Sequence, residues 1–97
     1  MTPPFSVHTT PHYERLFQKL LKTHQELERL QDRVREILET DPQNVTRRYN
    51  IKKLEGTRPG EGQYRLRLGR FRFRYDILGR QVWLFYCGLR REETYRR

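Results

Sequence analysis

Apolar residues recur along this chain with two different periods, and the change from one to the other divides it. Between Tyr13 and Leu38 the spacing is helical: Tyr13, Leu16, Phe17, Leu20 and Leu21, then Leu27, Leu30, Val34, Ile37 and Leu38. Thr10-Pro11 reads as an N-cap followed by proline at the first helical position, which starts a helix running from about Pro11 to Lys22. Thr23-His24-Gln25-Glu26 has the form of a capping box and predicts a break there, with a second, antiparallel helix beginning after it. That helix ends near Thr40, because Pro42 disfavours helical geometry at Asp41. Ahead of both helices, Phe5 to Thr9 alternates weakly and predicts a first short strand.

From Gln63 to Gly88 the period becomes two. Tyr64, Leu66 and Leu68, then Phe71, Phe73, Tyr75 and Ile77, alternate with Arg65 and Arg67, then Arg70, Arg72 and Arg74. Successive side chains of a strand point to opposite faces, so two strands with one apolar face and one arginine face are predicted. A helix would scatter the same arginines around its whole circumference. Leu68-Gly69-Arg70 and Leu78-Gly79-Arg80 read as tight hairpin connections. A last strand, Gln81 to Tyr86, is apolar on both faces, and a short strand or turn is predicted around Tyr49 to Leu54. The expected fold is α+β, one domain over residues 1–97: a two-helix hairpin packed on a small antiparallel β-sheet, with the arginine face left open. The polar tail after Gly88 is expected to form a short C-terminal helical turn.

With 34% of its 97 residues hydrophobic, the chain has material for a single small core, and its twelve aromatics fill much of it. No stretch approaches the ~18 apolar residues of a membrane span. The N-terminus has neither a basic nor an apolar leader segment, and the lone Cys87 forms no internal disulfide. A cytoplasmic location is the expectation. Charge is distributed unevenly. Residues 1–42 hold six Lys/Arg against seven Asp/Glu, a net of −1, whereas residues 43–97 hold fifteen against five, a net of +10. A solvated face normally mixes signs, and like charges on neighbouring strands destabilise a sheet. An all-arginine face with Asp76 as its single acid therefore points to an anionic partner, whose phosphates planar guanidinium groups bind two oxygens at a time. A membrane surface is not expected, since the arginines lie on strands and not on an amphipathic helix.

His8, His12 and His24 have no Cys, Asp or Glu cluster around them, so neither a metal nor another cofactor is expected. Nucleophile elbows, phosphate-binding glycine loops and Cys–His pairs are absent from the sequence. The candidate chemistry is the arginine face itself, the basic loop before it with Arg47, Arg48, Lys52 and Lys53, and Arg90, Arg91 and Tyr95 just past the last strand.

Three runs, taken in order, resemble the RelE/ParE toxin superfamily: Lys53 to Gly56, Tyr64 to Ile77, and Gly88 to Arg96. The family pattern sets K-L-x-G before Y-R-I-R-x-G-x-Y-R-x-x-Y, then an apolar strand leading into G-H-R-R-x-x-x-Y. The helical half is similar too, down to the terminating Asp41-Pro42. The RelE branch implies a ribosome-dependent endoribonuclease that cleaves mRNA in the decoding site without a metal and is neutralised by a cognate antitoxin. There the 2′-hydroxyl attacks the neighbouring phosphate. By this resemblance Arg65 and Arg67 surround the scissile phosphate and Arg72 steadies it. Arg90 is the candidate acid or leaving-group stabiliser, and Tyr95 stacks on a base and assists proton transfer. Arg47, Arg48, Lys52, Lys53, Arg74 and Arg91 are expected to contact RNA, messenger or ribosomal. The free toxin is expected to be a monomer that oligomerises through its antitoxin. Arginine at 65 and 67, where the family often has lysine, stays protonated and is no general base, which leaves Tyr95 for that role. Leu89 stands where the family frequently has histidine. The ParE branch, which shares the fold and inhibits DNA gyrase without nuclease activity, is the alternative. A catalytically degenerate RNA-binding homologue is the third reading.

Overall fold

The structure, a computed structural model, describes residues 3–89. Its elements run β1 (Ser6–Thr9), α1 (Pro11–Leu21), α2 (Leu27–Thr40), β2 (Ile51–Lys53), β3 (Tyr64–Leu68), β4 (Phe71–Leu78) and β5 (Gln81–Leu89). The α+β class and the two helices stand as predicted. The expected C-terminal helical turn lies outside the described residues. Among those residues, no helix is long and apolar enough to cross a membrane.

Thr10 caps α1, its hydroxyl oxygen accepting the Tyr13 N–H at 3.1 Å, with Pro11 at the first helical position. α1 buries Tyr13 and Phe17, and α2 buries Leu27, Val34, Ile37 and Leu38. The capping box does not form. Thr23 closes α1 instead: its N–H reaches the Leu20 carbonyl at 3.2 Å, and its hydroxyl lies 3.4 Å from the same oxygen. The link between the helices is so short that Thr23 still serves the unpaired carbonyls of the first helix. Glu26 takes the N-cap position of α2 without a side-chain cap bond.

The five strands make one sheet in the order β1-β5-β4-β3-β2. β2 to β5 are antiparallel neighbours, while β1 pairs with β5 in parallel. The sheet is thus mixed and not antiparallel throughout. Tight turns set the direction of β3, β4 and β5, but β1 reaches its neighbour only through the helices, a connection long enough for a parallel pair. β5 also breaks strict alternation. Tyr75 opposes Leu84 and Arg74 opposes Tyr86, so Phe85 is an extra residue in a bulge. Val82, Leu84 and Cys87 consequently all reach the core, joining Leu66, Phe71, Phe73 and Tyr75 beneath the helices. The bulge accounts for a strand that reads apolar on both faces. Tyr75 ties this core to the end of α2, its hydroxyl donating to the Pro42 carbonyl at 2.7 Å.

Candidate nucleic-acid interface

The helices cover one face of the sheet, and the other carries the arginines. Strand register places Lys52, Arg65, Arg74 and Tyr86 in one row across β2, β3, β4 and β5. Arg67, Arg72 and Gly88 form the next row. Directly opposed residues on antiparallel strands have Cβ atoms about 4.5–5.5 Å apart. Two arginine pairs, Arg65–Arg74 and Arg67–Arg72, therefore stand side by side. The structure brings Arg65, Arg67 and Arg72 together as the sequence predicts. Arg72 differs from expectation in its exposure: it is 8% exposed and does not project into solvent. It lies on a central strand with Arg67 on one side and β5 on the other, so neighbouring side chains shield its stem.

Arg74 has a different task from the phosphate contact expected of it. Its Nε and Nη2 both donate to the Gly62 carbonyl, at 3.2 and 3.0 Å. Gly62 has φ +84°, and a Cβ there would stand 2.7 Å from the Arg74 Cβ, so only glycine lets the loop approach this closely. Asp76, 3% exposed, fixes the same loop by accepting the Gly60 N–H and, at 2.7 Å, the Gln63 N–H. The one acid expected on the arginine face thus holds the 58–63 loop across one end of it. Beside this loop a cleft of about 550 Å³ opens between Gly60-Glu61 and the start of α1 at Thr10 to His12, with Arg74, Phe85 and Tyr86 along it.

The remaining candidates disperse. Lys53, next to Lys52, points to the opposite face, its Nζ 5.8 Å from the centre of the Tyr64 ring. Arg70, in the β3–β4 turn, leaves the arginine face and pairs with Glu26 at 3.0 Å. Backbone contacts at the N-cap and Arg70 hold the Glu26 carboxyl below its usual range. Arg47 and Arg48 are exposed in the loop between α2 and β2. That loop is organised by Asp41, which accepts the Val45 N–H (2.8 Å), the Thr46 N–H (3.0 Å) and the Thr46 hydroxyl (2.6 Å). Burial raises the Asp41 carboxyl, but these three donors outweigh it and hold the group below the usual carboxylate range. Arg90, Arg91 and Tyr95 lie outside the described residues. The histidines serve separate contacts: His8 stacks on Trp83 with centroids 4.6 Å apart, His24 meets Phe71 edge-on, and His12 is exposed beside the cleft. Sequence reasoning missed Tyr86 as part of the arginine face. The only signal was Gly88 two residues further along the same strand.

No protein-family model and no curated protein matches the chain. Among solved structures it is similar to a chain in the crystal structure of the archaeal RelE–RelB complex from Pyrococcus horikoshii OT3. The likeness has a TM-score of 0.66 at 26% identity, over 90% of this chain and 96% of the other. This likeness agrees with the resemblance carried by the three ordered motifs, and the chain is a RelE-like protein with the RelE fold.

Proposed function

We propose that this chain is the toxin of a toxin–antitoxin pair and acts as a ribosome-dependent endoribonuclease that cleaves mRNA in the decoding site. The observation supporting this most strongly is the set Arg65, Arg67 and Arg72, which strand register holds on one face of adjacent strands. In the proposed reaction the 2′-oxygen bonds to the adjacent phosphorus and the bond from phosphorus to the 5′-oxygen breaks. The products are a cyclic phosphate and a 5′-hydroxyl. Negative charge builds on the phosphate oxygens as the new bond forms, and guanidinium groups already fixed in place stabilise it without reorganising. The permanent charge of arginine makes these residues stabilisers and not bases. Tyr95, as its phenolate, is the proposed acceptor of the 2′-proton, and Arg90 stabilises the departing 5′-oxygen, which takes a proton from water to become the 5′-hydroxyl.

Lys52 extends the arginine row by one strand, and with Arg47 and Arg48 it is suited to backbone contacts that carry no sequence information. The similar archaeal protein was solved as a RelE–RelB complex. By that likeness we propose a cognate antitoxin as partner, a largely acidic segment that orders as it covers the basic face, with the free toxin a monomer. Cleavage of a defined mRNA on programmed ribosomes, mapped by primer extension, tests the nuclease reading.

A further inference from the structure

Tyr86 has no part in the roles described above, yet its position relative to the arginines is closely defined. Side chains two apart on a strand share a face, so Tyr86 and Gly88 both belong to the arginine face. Register sets Tyr86 opposite Arg74 and Gly88 opposite Arg72. A Cβ built on Gly88 would stand 2.2 Å from the Tyr86 Oη, 2.7 Å from Cζ and 3.1 Å from Cε2. The phenol therefore lies along β5 in the volume that a side chain at position 88 would fill. Its hydroxyl ends directly across from Arg72, and Arg72 stands directly across from Arg67. The hydroxyl thus shares one row of the sheet with Arg72 and Arg67, over β5, β4 and β3.

We propose that Tyr86 belongs to the anion site, its hydroxyl donating a hydrogen bond to the phosphodiester that Arg67 and Arg72 hold, and that Gly88 is glycine so that the phenol can lie there. The ligand is a phosphodiester of single-stranded RNA, and in that respect the inference rests on the nucleic-acid reading above. The chemistry suits the place. Two opposed guanidinium groups already repel one another, and a third cation in the row would add to that repulsion. A neutral O–H adds a directional, charge-assisted contact to an anionic oxygen without it. Gly88 thus sets the hydroxyl down against the strand, in the row of Arg72 and Arg67.

The test is fluorescence anisotropy of a labelled single-stranded oligoribonucleotide titrated with the full-length protein, over a range of salt concentrations. The variants are Tyr86→Phe, Gly88→Ala and the two combined. Tyr86→Phe removes the hydroxyl alone, and Gly88→Ala displaces the far end of the ring, neither altering the core face. Each single change is expected to weaken binding about tenfold, as for loss of a hydrogen bond to a charged group. The double variant is expected to bind no more weakly than the worse single one, because both remove the same contact. The dependence of log affinity on log salt is expected to stay unchanged, since no cation has been removed. Wild-type affinity in Tyr86→Phe overturns the proposal and leaves the RNA reading standing. Losses that add in the double variant overturn the role given to Gly88. Absence of binding by the wild-type protein removes the RNA reading and this inference together. Should Gly88→Ala fail to fold, Tyr86→Phe decides alone.

Discussion

Arg74 donates through both Nε and Nη2 to the carbonyl oxygen of Gly62, twelve residues before it in the chain. This one contact separates Arg74 from the three arginines it alternates with. Arg65, Arg67 and Arg72 share one face as the proposed site, while Arg74 holds a loop in place together with Asp76.

The separation is testable. Arg67→Ala is expected to weaken oligoribonucleotide binding and reduce the salt slope by about one, the signature of a lost phosphate contact. Arg74→Ala is expected to act chiefly on stability, and Asp76→Ala more strongly, by about 1.5–3 kcal/mol, since two N–H donors lose a charged acceptor. Urea denaturation alongside binding at several salt concentrations distinguishes the two classes. Equal loss of salt slope in Arg74→Ala and Arg67→Ala would place Arg74 back in the site.

Asp41 gives the fold a pH dependence of definite sign. Its folded carboxyl titrates below the usual range, so the unfolded chain takes up the proton first as pH falls. The stability it contributes is full above its unfolded value, near 4, and is lost as pH falls through the lower folded value. Asp41→Asn is therefore expected to be less stable than wild type at pH 7 by about 1–3 kcal/mol. That difference is expected to shrink as pH falls below about 4 and through the lower folded value, beneath which both proteins carry an uncharged group. Urea titrations of both proteins between pH 7 and pH 3 measure it. A gap independent of pH would show that the carboxylate charge contributes nothing to the loop.

Phe73 and Arg72 are sequence neighbours on opposite faces of β4, and their substitutions are expected to fail differently. Phe73 is fully buried, and Phe73→Ala is expected to cost about 3–5 kcal/mol, enough to unfold much of a small domain. Arg72→Met keeps the shielded aliphatic stem and removes the guanidinium. It is expected to melt within a few degrees of wild type and to lose RNA cleavage. A collapse of the melting transition in Arg72→Met would make Arg72 a structural residue.

Sequence periodicity carried much of this organisation, and where it failed the reasons are physical. The spacing of Tyr13, Phe17, Val34, Ile37 and Leu38 placed both helices, since each buries one stripe. The arginine alternation placed β3 and β4 and gave them one arginine face, on which the register pairs Arg65 with Arg74 and Arg67 with Arg72. Periodicity could not give the direction of β1, which depends on a long connection and not on a turn. Nor could it locate the bulge at Phe85, because one extra residue is invisible in a strand that is apolar throughout. Alternation put Arg70 on the arginine face, and the basic run put Lys53 beside Lys52 as an RNA contact; neither lies there. Lys53 sits on the other face, and Arg70 occupies a turn, where period two does not apply. The tasks of Arg74 and Asp76 depend on a loop whose close approach to the sheet needs glycine at position 62, which alternation does not reveal.

The nuclease reading is tested most directly by primer extension on a defined mRNA incubated with the purified protein, with and without programmed ribosomes. The expected result is cleavage within the decoding-site codon, only when ribosomes are present, and lost in Arg72→Met. Intact mRNA under both conditions, with active ribosomes confirmed, would contradict the account.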